Sequence, residues 1–212
     1  MAKLRILCLH GYRQNESIFR EKSGALRKLL KREAEFFFVN APHIITGDPG
    51  NLERPLELQE RAWFFSRPDH TYKGTDTTET CIGLEESIHF LEEVFKEQGP
   101  FDGILAFSQG ACLLSIITAN ERPSPIAYRF LIFVSGFKSL LSSHSHTYPP
   151  SIGVPSFHIF GKTDAVIPQE MSRDLCQLYP NSIQYTHKGG HYVPASPDLR
   201  NSLRDFLRPF LD

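Results

Sequence analysis

Cysteine is scarce and scattered. Cys8, Cys81, Cys112 and Cys176 are the four present, none forms a CxxC pair, and their spacing offers neither a disulfide framework nor a zinc site. Cys8 and Cys112 lie inside apolar runs, where a thiol behaves as a small hydrophobe. An excess of charge of one sign is missing too: 23 Lys and Arg stand against 24 Asp and Glu, so no basic field for nucleic acid is built in. No apolar run reaches the ~20 residues of a membrane-spanning helix. The apolar stretch after Met1 is too short for a signal peptide and ends in a polar loop rather than a cleavage site. Internal repeats, low-complexity tracts and linkers are lacking. These absences predict a single domain over residues 1–212, cytoplasmic with the nucleus left open, with no nucleic-acid partner and no membrane span. A chain of 212 residues can bury a sizeable core without staples.

What is present is a repeated alternation. Short, nearly continuous apolar runs at residues 4–9, 36–39, 104–107, 130–134, 156–160 and 183–186 read as strands, most of them buried on both faces. Helical patterns intervene at residues 16–33, 81–98 (stopped by Gly99-Pro100), 111–119, from Pro168 to about Tyr179, and at the C-terminus. The basic positions Arg27, Lys28, Lys31 and Arg32 form the wet side of the first helix. Strand and helix in turn predict an α/β fold: a mostly parallel sheet of about six strands, covered by helices on both faces and joined by right-handed crossovers. Residues 43–80 break the pattern with Gly47, Pro49, Gly50, Pro55, Pro68 and Gly74. An insert of that length is usually functional or mobile. Its cluster Trp63-Phe64-Phe65 reads equally well as a flap anchored on the core or as a wall of an apolar substrate pocket. Phe137, just past the fourth strand, is a further candidate for that pocket.

One stretch organises the rest. In Gly103-Ile-Leu-Ala-Phe-Ser-Gln-Gly110 a serine is wedged between a buried strand and a helix, with small residues two before and two after it. That is the pattern of a nucleophile elbow, a sharp turn that lifts a hydroxyl clear of the sheet. The bland alternative is a serine that merely caps the helix. A serine hydroxyl needs a base, and the base needs a third group to fix its tautomer. Asp164 follows the fifth strand and His191 the sixth, so both project from the same sheet edge as Ser108, in the chain order Ser, acid, His of α/β-hydrolases. His187 rivals His191 but follows its strand immediately, whereas His191 sits on the flexible Gly189-Gly190 loop. Asp174 and Asp198 rival Asp164 but fall in predicted helices. Two backbone donors for an oxyanion are expected at Gln109, just after the serine, and at Tyr12 in the loop after the first strand. His10 reads as a structural histidine of that loop. His144 and His146 have no carboxylate or cysteine beside them, so no metal site and no cofactor is expected.

Four blocks, Leu9-His-Gly-Tyr-Arg-Gln-Asn15, Gly99 to Ala111, Phe160-Gly-Lys-Thr-Asp164 and Gly189-Gly-His191, resemble in order the fungal-type family of serine hydrolases. The resemblance runs from Leu4 to the C-terminal helix. It implies an α/β-hydrolase fold with Ser108 as nucleophile, Asp164 as acid and His191 as base. It further implies a serine esterase acting through an acyl-enzyme on small-molecule carboxylic esters with long, unbranched apolar chains. The departure is Ala106, where the family usually has glycine; it adds one methyl group to the turn. Competing readings are an acyl thioesterase using the same three residues, and a non-catalytic lipid-binding or interaction domain.

Overall fold

A computed structural model of the protein describes residues 2–120 and 124–211. Its centre is a six-stranded sheet in the order β2-β1-β5-β6-β7-β8, formed by β1 (Leu4–Leu9), β2 (Ala34–Phe38), β5 (Gly103–Phe107), β6 (Phe130–Val134), β7 (Ser156–Gly161) and β8 (Ser182–His187). Every neighbouring pair is parallel. The expected sheet is therefore the observed one, parallel throughout.

The apolar runs are continuous because both faces of the central strands are covered. Leu7, Leu9, Ile104, Ala106, Leu131 and Phe133 join one core with α4 (Leu84–Gln98), α5 (Gln109–Ala119) and α6 (Gln169–Cys176). The residues between them, Ile6, Cys8, Leu105, Phe107, Ile132 and Val134, join a second core with α1 (Glu16–Lys22), α2 (Gly24–Leu29) and α7 (Pro197–Leu207). Alternate side chains of a strand point to opposite faces, so a strand packed on both sides has no polar face to show.

Two elements differ from expectation. The single helix predicted over residues 16–33 is two, because Ser23 interrupts it. Both the backbone N–H and the hydroxyl of Ser23 donate to the Phe19 carbonyl, at 2.9 and 2.7 Å, and Gly24 follows. A serine that satisfies its own helix's carbonyls favours a break. The insert at 43–80 is also less irregular than its composition suggests. It holds an antiparallel pair of short strands, β3 (His43–Ile44) and β4 (Arg61–Ala62), and a one-turn helix, α3 (Pro49–Leu52), capped by the Asp48 side chain.

The insert underpins the loop after β1. Arg13 N–H donates to the Arg61 carbonyl at 3.0 Å, Arg61 N–H to that of Gln14 at 2.8 Å, and the Arg13 guanidinium bridges Asp48 and Glu60.

Candidate active site

Ser108 stands between β5 and α5 with φ +53 and ψ −114, a backbone conformation rarely adopted by a residue with a β-carbon. Surrounding contacts hold it there. Its N–H donates to Val134 of β6 at 3.0 Å, and its carbonyl accepts the Cys112 N–H at 2.9 Å to begin the helix. The side chain makes no capping bond to α5. Its Oγ instead lies 2.9 Å from His191 Nε2. The turn closes because Gly110 has no β-carbon: one placed there would sit 2.6 Å from the His10 carbonyl oxygen and 2.7 Å from that of Leu9. Ala106 is fully buried in the core and is accommodated.

His191 reaches Ser108 because the last two strand ends are zipped together. Lys162 N–H donates to the His187 carbonyl at 2.8 Å and Thr163 N–H to that of Gly189 at 3.2 Å. A β-carbon on Gly161 would lie 2.2 Å from the Gly189 carbonyl oxygen, so the close approach depends on Gly161 as much as on the Gly189-Gly190 pair. The His191 ring also packs on Phe107, with centroids 4.8 Å apart. Its Nδ1 is 2.8 Å from Asp164 Oδ2. The rival His187 is turned to its own loop, where Nδ1 accepts the Gly189 N–H and the ring meets Tyr192.

Asp164 is buried but fully bonded. Oδ1 accepts the N–H groups of Val166 and Ile167, each at 2.9 Å. Oδ2 accepts from His191 and from the Ser135 hydroxyl at 3.0 Å. Burial pushes the carboxyl up, but the bonds from His191 and the two backbone N–H groups outweigh it and hold the group below its ordinary value.

The loop after β1 lies against the serine. A β-carbon on Gly11 would meet Ser108 Cβ at 3.3 Å. The Gly11 N–H is taken by Gln14 Oε1 at 3.1 Å. Gln109, as first residue of α5, has a backbone N–H with no acceptor within its helix. His10 has no free nitrogen for base work: Nδ1 donates to the Gly11 carbonyl, Nε2 accepts the Ala41 N–H, and burial lowers its pKa to about 4.

The aromatic cluster behaves otherwise than as a pocket wall. Trp63, Phe64 and Phe137 have 0% of their surface exposed and Phe65 3%, so none offers a face to a ligand in this structure. Trp63 Nε1 donates to the His10 carbonyl at 2.8 Å, and Phe64 meets Tyr72 edge-on. The Gln109 side chain clamps the segment, accepting from Trp63 N–H at 3.0 Å and donating to the Phe64 carbonyl at 2.7 Å. The cluster therefore anchors the insert onto the elbow. The apolar surface beside Asp164 and His191 is elsewhere, on Val166 (56% exposed) and Tyr192 (50% exposed). Sequence reasoning passed over Ser135, Gly161 and the Gln109 side chain. A Ser-Gly pair directly after a buried strand was the available signal for the first.

No group of three or more His, Cys, Asp or Glu side chains that could hold a metal occurs among the described residues. No helix among them is long and apolar enough to cross a membrane.

Comparison with known proteins bears on the fold and the family. Among solved structures, Zea mays acyl-protein thioesterase 2 superposes with a TM-score of 0.64 at 18% identity, covering 100% of this chain and 95% of its own. The esterase PE8 superposes with a TM-score of 0.66 at 21% identity, covering 99% and 94%. At such identity they speak for the fold, the α/β-hydrolase fold. Two relatives are nearer in sequence. Esterase OVCA2 of Danio rerio is 42% identical over 98% of this chain and 97% of its own length. Esterase CG5412 of Drosophila melanogaster is 39% identical over 97% of this chain and 74% of its own. A family model described as "Serine hydrolase (FSH1)" matches residues 1–203, and the chain belongs to that serine hydrolase family.

Proposed function

We propose that the protein hydrolyses carboxylic esters through an acyl-enzyme on Ser108, with His191 as general base and acid and Asp164 as the group that orients it. The observation that carries this reading is the unbroken chain of two contacts, Ser108 Oγ to His191 Nε2 at 2.9 Å and His191 Nδ1 to Asp164 Oδ2 at 2.8 Å. Asp164 accepts a hydrogen bond from Nδ1–H, which keeps the ring's proton on Nδ1 and leaves Nε2 with a free lone pair facing the hydroxyl. Ser108 Oγ attacks the ester carbonyl carbon as its proton passes to Nε2. The carbonyl oxygen becomes an oxyanion, met by the N–H groups of Tyr12 and Gln109. Collapse breaks the bond to the alkoxy oxygen, which leaves as an alcohol with the proton from Nε2. Water then repeats the sequence against the acyl-serine, releasing the acid and restoring Ser108.

The surface beside these residues supports the long-chain substrate class that the family resemblance implies. Val166 lies two residues after Asp164 and Tyr192 directly after His191, and both expose apolar area. A long acyl or alkyl chain lying on them is removed from water, each fully buried methylene contributing about 0.8 kcal/mol. The test is labelling with a fluorophosphonate probe followed by peptide mapping, with p-nitrophenyl esters of increasing chain length as substrates. Ser108 is the expected adduct site, and a folded Ser108→Ala protein is expected to lose both labelling and turnover. Turnover at the wild-type rate in that variant would refute the reading.

A further inference from the structure

The inference concerns Ser135 and rests on the reading of Asp164 and His191 given above. Ser135 directly follows β6, the strand that lies between the nucleophile's strand and the acid's. Its neighbours bind both sides at once: the Val134 carbonyl accepts the Ser108 N–H at 3.0 Å, and the Ser135 N–H donates to Ile159 of β7 at 2.8 Å. The residue is fully buried, and its backbone adopts φ +47, a left-handed conformation that disfavours any residue with a β-carbon. Gly136 follows at the next position. The hydroxyl donates to Asp164 Oδ2 at 3.0 Å, the same oxygen that faces His191 Nδ1. An unfavourable backbone conformation held in a buried site calls for a reason, and the bond it permits ends on the carboxylate of the proposed triad.

We infer that Ser135 is a positioning residue for catalysis: its hydroxyl fixes the Asp164 carboxylate so that Oδ2 meets His191 Nδ1, and it tunes how strongly that carboxylate holds the imidazolium. The geometry fills the carboxylate. Two backbone N–H groups on Oδ1 and two side chains on Oδ2 occupy all four of its acceptor positions. Without the hydroxyl, Oδ2 keeps His191 alone and the carboxylate is free to turn about the Oδ1 contacts. The positive end of the hydroxyl dipole points at the carboxylate and, through it, opposes charge on His191. Removing it therefore favours the imidazolium. The other titratable group that senses Asp164 is His187.

The experiment compares Ser135→Ala and Ser135→Gly with wild type. Both lose the hydroxyl, while Ser135→Gly also relieves the left-handed backbone and so keeps the fold secure. In both, kcat is expected to fall by roughly ten- to a hundredfold, because a carboxylate free to turn misorients His191, with KM nearly unchanged. The rising limb of kcat/KM against pH is expected to move to higher pH, and the downfield proton resonance of the His191–Asp164 bond to shift. A His187→Gln control run alongside assigns that limb to His191. Wild-type kcat in either hydroxyl-free variant overturns the inference. So does a lower kcat with an unmoved pH limb and an unmoved resonance, which would mark Ser135 as structural only. Asp164→Asn, measured in the same series, separates the two levels. If it leaves turnover intact, the triad reading itself falls; if it abolishes turnover while the Ser135 variants keep theirs, the positioning role alone is lost.

Discussion

Replacing Gly110 by alanine is the sharpest probe of how the elbow is built. The added β-carbon would lie 2.6 Å from the His10 carbonyl oxygen and 2.7 Å from that of Leu9, where ordinary contact begins at 3.4 Å. The shortfall is thus 0.8 and 0.7 Å, against backbone on both counts. No flexible side chain can swing aside. Either α5 backs away from β1 or the end of β1 moves, and the latter carries Gly11 and Tyr12 with it. The His10 carbonyl is further tied to Trp63 Nε1, so the strain reaches the insert. Overpacking of this kind costs about 1–3 kcal/mol. In a chain of this size each kcal/mol lowers Tm by roughly 2–4 °C. The kinetic effect is expected to exceed the thermal one, because a displacement of about 1 Å at a positioning group can cost ~100-fold in rate. The loss belongs in kcat, since the donors proposed at Tyr12 and Gln109 would act on charge that develops only in the transition state. The assay is p-nitrophenyl ester hydrolysis with melting curves alongside. Gly153→Ala serves as control, because a β-carbon there has nothing within 4 Å. A Gly110→Ala protein with wild-type Tm would refute the steric argument. One with lowered Tm but undiminished kcat would refute the placement of the Tyr12 donor.

The remaining expectations are these. Asp164→Asn and His191→Ala should each lower kcat by roughly a thousandfold or more, with the double variant little worse than either, because triad members act as a unit; additive losses, or a larger effect from His187→Ala, would overturn the assignment. Phe64→Ala should destabilise the protein by about 3–5 kcal/mol and leave the chain-length profile parallel to wild type, because the ring is sealed in the core; a profile flattened for long esters would restore it to the pocket. Stability should fall as pH drops from about 6.5 toward 5, since burial holds His10 and His158 neutral in the folded state, with pKa values lowered from 6.5 to about 4 and about 3. The unfolded chain takes up those protons first, so each histidine removes roughly 1 kcal/mol per pH unit averaged across that window. His144 and His187, also lowered, act in the same direction. Flat urea-melt midpoints between pH 6.5 and 5 would contradict the buried neutral state, and His158→Phe should lessen the slope. Exhaustive dialysis against EDTA should leave the rate unchanged, because every proton transfer proposed runs through His191; a loss restored by zinc would refute it.

What the sequence determined by itself is local or periodic. Apolar runs such as Phe130–Val134 announce strands covered on both faces, because a strand with no wet side needs no polar residues. Ser108 with Ala106 and Gly110 announces a tight strand-to-helix turn, because only small residues fit where two backbones nearly touch. The order of Ser108, Asp164 and His191 places three reactive groups at one sheet edge, since all strands of a parallel sheet end on the same side. Tertiary structure alone decided the matters that depend on distant partners. An aromatic triplet in a long insert suits a core or a pocket equally; contacts with His10, Tyr72 and Gln109 put Trp63 and Phe64 in the core. The break at Ser23 turned on whether its hydroxyl would bond back to Phe19. The roles of Gly161 and Ser135 were not legible, for the groups they accommodate, the Gly189 carbonyl and the Asp164 carboxylate, lie 28 and 29 residues further along the chain and meet them only when β7 has paired with both of its neighbours.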